Sequence, residues 1–219
     1  MTEFRDLDLT GATFERVRLR DARVRAADLS GPRVRGAELN RRMPERAKMR
    51  PEDPEGFREA WAVLGRLWEG TLARAATFPE AALHRGVDGE WSFIQTLRHL
   101  NFASAAWVGR AVLGEPSPWH PLDLPWDEAP GWDGVPWDRA ARPSLEEVLA
   151  VRRDRRAMVG RVVASLTAGE LASEVTRTEP GWPRLAGFPL KECLHIVLHE
   201  EWEHRLYAER DLNVLKKED

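Results

Sequence analysis

Glu200-Glu201-Trp202-Glu203-His204-Arg205 lies near the end of a stretch, 189–214, that reads as the last long helix of the chain. At about 100° of rotation per residue, His204 falls roughly 40° from Glu200. Cys193, Ile196, Val197, Tyr207, Ala208 and Leu215 fall on the same side. The helix therefore turns a carboxylate and an imidazole toward whatever it packs against. Burying such groups alone is costly, and pairing them or binding a metal removes the cost. Such a helix needs partner helices around it, and the rest of the chain supplies them.

Phe57, Trp61, Leu64, Trp68 and Leu72 recur at helical spacing and mark a first helix from about 54 to 77. Ser92 is placed to cap a second, running to about 113. Ser144, with Glu147 three residues on, opens a third that runs to about 166. The last begins at Pro189, at the helix start, where a proline fits best. Long helices joined in this way make a mainly α protein, a four-helix bundle with one long crossover loop. That crossover, 114–143, holds seven prolines together with Trp119, Trp126, Trp132 and Trp137. A connection of that length is a functional cover or disordered, and the apolar area of the tryptophans favours order through burial. It should cover the bundle with at least one tryptophan beside the mouth of a site. The plainer alternative is that the tryptophans glue the crossover to the outside of the helices.

The site has a second part in Trp91-Ser92-Phe93-Ile94-Gln95-Thr96-Leu97-Arg98-His99-Leu100. His99 falls two turns into the second helix, with Ala103 and Ala106 next on its face. His99, Glu200 and His204 together offer two nitrogens and one oxygen. Such a donor set suits Zn²⁺, Ni²⁺, Fe²⁺ or Mn²⁺ and leaves a coordination position open. The plainer account of the same residues is a buried hydrogen-bonded cluster without metal. His195 and His199 form a competing i, i+4 pair, but they fall on the polar side with Glu203 and Arg210 and read as surface or supporting histidines. His84 and His120 fall in loops, where exposure is expected. Cys193 shares the inward face and reads as a small core residue.

A Trp-Ser-x6-His helix start followed late in the chain by ligand-x-x-x-His-Arg resembles the DinB superfamily, the four-helix metalloproteins also called DinB/YfiT-like. The resemblance spans roughly residues 54–214. Most members carry a histidine where this chain has Glu200. The glutamate variant is similar to the mycothiol-dependent maleylpyruvate isomerases, which use a His, Glu, His triad, and the change of ligand bears on metal preference. The resemblance implies a divalent metal ion, zinc foremost, and a thiol-dependent transferase, isomerase or hydrolase acting on a small electrophilic substrate. It also implies a low-molecular-weight thiol such as mycothiol or bacillithiol, whose sulfur would take the open position and ionise there. The alternative is a non-catalytic binding or interaction protein with a structural metal or none.

The beginning of the chain follows a different rule. Phe4, Leu9, Phe14, Leu19, Val24, Leu29, Val34 and Leu39 recur every five residues. Neither a helix nor a strand keeps that period on one face, whereas a square coil with five residues per side does. This segment, 1–40, resembles the pentapeptide-repeat family, a right-handed quadrilateral β-helix, with Ala27-Asp28-Leu29 its closest match. Two coils bury little alone, so the repeat should lean on the rest of the chain. Residues 41–53 are charged and proline-bearing and read as a linker, leaving 54–219 for the bundle. Residues 1–50 carry 13 basic and 8 acidic side chains, the wrong sign for mimicry of a nucleic acid.

The totals narrow the remaining classes. A chain of 219 residues holds one domain plus a small appendage. A net charge of −3 gives no reason to expect nucleic acid, and no apolar run approaches the ~18 residues of a membrane span. The charged start argues against a signal peptide, and the single cysteine fits the cytoplasm. A small-molecule substrate or thiol is the expected partner, with homodimer formation open.

Overall fold

A computed structural model describes residues 44–127, 129–131, 136–179 and 181–218. The five-residue repeat of 1–40 and Trp132 lie outside these residues. The chain divides into two units, Met1–Gly36 and Ala37–Asp219, and the fold described is that of the second.

A 3-10 turn, Pro44–Met49, precedes α1, Pro54–Ala75. The Asp53 carboxylate caps α1 by accepting from Gly56 N at 2.8 Å. Gly56 is required by packing, because a Cβ there would meet Pro51 Cβ at 2.7 Å. The short α2, Glu80–Leu83, is followed by α3, Phe93–Ser104. Ser92 and Gln95 close a reciprocal capping box on α3, the Gln95 half of which completes the cap expected at Ser92. The expected helix to about 113 changes character midway. Ala105–Val112 is π-helical, with Leu113 N donating to Val108 O at 2.9 Å. Such wide turns are rare and concentrate at functional sites. Within this one, Gly109 lets the crossover approach closely, since a Cβ there would meet Pro118 Cβ at 2.9 Å.

The second half contains α4, Leu145–Ser165, with the Ser144–Glu147 capping box, and α5, Ala168–Leu171. A hairpin of β1, Glu174–Arg177, and β2, Leu185–Pro189, then leads into α6, Leu190–Glu218. The strands are antiparallel, with Val175 opposite Phe188 and an irregularity between Val175 and Arg177. The hairpin had no counterpart in the sequence reading, because a few short alternating residues carry little periodic signal. Pro189 ends β2 instead of opening the helix.

The long helices form a ring: α1 packs on α4 and α6, and α3 packs on the same two. The core is split into two apolar clusters. One gathers Phe57, Leu64, Val108, Val159 and Leu198, and the other Trp68, Phe93, Leu97, Val148 and Leu212. The handover falls between Leu64 and Trp68 on α1 and between Val148 and Met158 on α4. On α6 it falls between Trp202 and Ala208. Polar side chains occupy that level: Asn101, Ser104, Arg152 and His204, with Glu200 and Glu201 at its edge. Among the described residues, no helix is long and apolar enough to cross a membrane.

Candidate metal centre

Because α3 and α6 are neighbours, His99 on one meets Glu200 and His204 on the other. Glu200 Oε2 lies 3.3 Å from His99 Nε2 and 3.1 Å from His204 Nδ1. One ligand atom from each of the three lies within 4.8 Å of the other two. The donors of a single tetrahedral ion bonded at ~2.0–2.2 Å stand roughly 3.5 Å apart, so the three would draw together to share one ion.

Hydrogen bonds decide the tautomers. His99 Nδ1 lies 3.0 Å from Leu124 O and His204 Nδ1 lies 3.0 Å from Glu200 O. A carbonyl only accepts, so each Nδ1 carries the hydrogen. His99 then keeps its Nε2 lone pair on the side of Glu200, whereas the His204 atom nearest the Glu200 carboxylate is Nδ1 itself. Glu200 Oε2 is shut away from solvent without a well-aligned hydrogen bond. Its near neighbours are the two imidazole nitrogens, which act on it through charge and loose contact at 3.1 and 3.3 Å. A buried anionic oxygen with only loosely aligned partners is a site that a cation would satisfy. Burial works to raise the Glu200 pKa, but His204 and His99 overcome it and hold the carboxyl well below the usual range. Burial likewise works to lower the His204 pKa, and Glu200 outweighs it, so the imidazole is shifted upward.

Aromatic rings enclose the cluster. Trp91 lies 4.6 Å from the His99 ring and 6.2 Å from that of His204, and its Nε1–H donates to Asp127 in the crossover at 3.0 Å. Phe102 stands 6.1 Å from His99. Around Phe102 gather Trp119 at 5.5 Å, Trp137 at 5.6 Å and Trp126 at 6.2 Å, with Trp182 from beyond the hairpin's first strand at 5.5 Å. The described crossover tryptophans thus reach the site through Phe102 while also fastening the loop to α3. Arg98 fastens it further, donating to Leu122 O and Ala141 O at 2.8 Å each and to Asp138 O. Leu124, whose carbonyl orients His99, is itself held by Arg98 O at 3.2 Å. Next to it, Asp123 is fully buried, and burial pushes its carboxyl up to about 6 against the pull of Arg155.

The other candidates separate cleanly. His195 is buried, not on the surface: its Nε2 meets Pro51 O at 2.7 Å and its ring stacks on Phe57 at 5.1 Å. His199 is exposed, and His84 and His120 are half-buried. Cys193 is buried, and burial pushes its thiol up to about 12, which removes it as a nucleophile at neutral pH. Tyr207, expected inside, is 45% exposed beside His204. Sequence reading missed Glu201 and Arg152, both fully buried and 2.6 Å apart. Centring the buried face of α6 on Glu200 hid Glu201, and without it Arg152 of α4 had no visible partner. Leu194, Leu198 and Trp202 are also buried, so that face is wider and centred one residue later.

A family model described as the DinB superfamily matches residues 63–208. The chain belongs to the DinB superfamily. The matched DinB segment holds His99, Glu200 and His204 together with Trp91, Arg152 and Glu201. Neither a curated protein nor a solved structure matches the chain.

Proposed function

We propose that His99, Glu200 and His204 hold one divalent metal ion, zinc foremost with nickel, iron or manganese as alternatives. On this reading the protein is a thiol-dependent transferase, isomerase or hydrolase that acts on a small electrophilic substrate, with mycothiol or bacillithiol as the thiol. The observation that carries it is the convergence of one donor atom each from His99, Glu200 and His204, with a solvent-shielded Glu200 oxygen between two imidazoles. His99 Nδ1 is already spoken for by the Leu124 carbonyl, which leaves the Nε2 lone pair of His99 for the ion. DinB membership points the same way, because metal binding is usual in the superfamily.

When bound, the ion supplies the positive charge that keeps a sulfur ligand as thiolate near neutral pH. The chain's own residues do the rest. Leu124 O and Glu200 O fix the imidazole tautomers, and Trp91 and Phe102 keep water from one flank of the site. With aromatic neighbours there, proton transfer falls to the thiol, the substrate or solvent. That same aromatic flank favours a second reading, a non-catalytic binding protein with a structural metal. Metal analysis of protein purified without an affinity tag tests the first step, with about one ion per chain expected. A screen of thiol–electrophile pairs on the loaded protein separates the two readings. Turnover of none by protein that holds its metal favours the binding protein.

A further inference from the structure

Glu201 is one residue from Glu200 and is turned about 100° away from it, into the layer where the apolar core is interrupted. Its carboxylate lies 2.6 Å from Arg152 Nη2 and 3.6 Å from Arg156 Nη1, with the Arg152 and Glu201 side chains 2% and 1% exposed. The Arg152 guanidinium rests on the Trp68 ring at 4.6 Å, and Trp68 Nε1–H donates to Glu201 O at 3.3 Å. Thus α1 and α4 grip a single residue of α6 by both its side chain and its backbone. Near its start α6 is also tied by His195 to Pro51 O, and farther on by Glu209 and Asn213 to Thr71 and Arg74 of α1. Between these ties, at the level of Glu200 and His204, the apolar contacts are non-directional and permit small rotations. A rotation of about 20° would carry a donor atom roughly 6 Å from the helix axis by about 2 Å, the length of a metal–ligand bond.

Resting on the reading of His99, Glu200 and His204 as a metal site, we propose that Glu201 and Arg152 are positioning residues. They lock the rotation of α6 so that Glu200 and His204 face His99. The layer is not built for stability alone. Glu201 Oε1, Arg152 Nε and Trp202 Nε1 are buried without a hydrogen-bond partner, and apolar replacement of buried ion pairs is often neutral or stabilising.

The experiment titrates Co²⁺ alone into metal-free full-length chain and follows its visible absorption alongside the melting temperature. The double variant Glu201→Leu with Arg152→Met removes the clamp with little change in volume. It should stay folded while Co²⁺ affinity falls about 10- to 100-fold, the usual effect of losing groups that orient metal ligands, and the absorption band should change shape. Trp68→Phe deletes the bond to the Glu201 carbonyl and trims the ring under Arg152 while keeping both clamp side chains, and should weaken affinity by a smaller factor. It decides the matter if the double variant does not fold. Leu171→Ala, a core truncation away from this layer, should lower the melting temperature and leave Co²⁺ affinity unchanged. Folded clamp variants with wild-type affinity and spectrum overturn the positioning role while leaving the metal site standing. A wild-type chain that gives no Co²⁺ band overturns both.

Discussion

Glu200 faces two imidazoles whose charge follows pH, whereas Glu201, one residue on, faces two guanidinium groups whose charge does not. Both carboxylates sit at the break in the apolar core, on the same turn of α6. The permanent charges beside Glu201 make it a fastening between helices. The adjustable partners beside Glu200 leave room for an ion. Residue type and helical turn are shared, so the difference in role comes from the neighbouring helix: α4 brings arginine, and α3 brings His99.

The largest expected effect tests the Glu200 side. His204→Ala should abolish stoichiometric metal in elemental analysis of the purified protein. His204→Ala protein that keeps a full equivalent would break the comparison. On the Glu201 side, Arg152→Ala leaves a buried carboxylate without its main partner and should cost about 3–5 kcal/mol in urea unfolding. A cost below about 1 kcal/mol would mean Arg156 alone can compensate. His195→Ala removes a buried hydrogen bond and a ring stack, worth about 1–3 kcal/mol, and should leave the metal in place. Equal metal loss in His195→Ala and His204→Ala would put the ion on the other face of α6.

The smallest effect is in pH dependence. The depressed Glu200 pKa contributes stability present above its usual 4.5 and lost as pH falls through the folded value. The raised His204 pKa contributes stability present below its usual 6.5 and lost as pH rises through the folded value. In chelated, metal-free protein the advantage of wild type over Glu200→Gln should therefore be greatest between about pH 4.5 and 6.5. A shift of about 2–4 °C per kcal/mol makes it visible by thermal melting. A difference that is flat from pH 4 to 8 would mean the three side chains do not share charge.

Much of the bundle was legible in sequence. The Ser92 and Ser144 caps and the apolar spacing of Phe57, Leu64 and Trp68 are local signals, because capping and amphipathic periodicity act within a few residues. The Glu200–His204 pair was legible for the same reason, one helical turn apart. The π-helical turn at Ala105–Val112, the β1–β2 hairpin and the burial of His195 were not. Each depends on what packs against it: Pro118 on Gly109, and Pro51 and Phe57 on His195.

By itself, the sequence determined which residues carry donors and which turn of which helix holds them, because those follow from chemistry and helical spacing. Only the tertiary structure decided that His99 meets Glu200 Oε2, that Leu124 orients His99, and that Glu201 is gripped by Arg152. These contacts join residues 25 to more than 100 positions apart, and no local propensity specifies them. They exist because four amphipathic helices bury their apolar faces together and whatever polar groups lie at the break must find partners there.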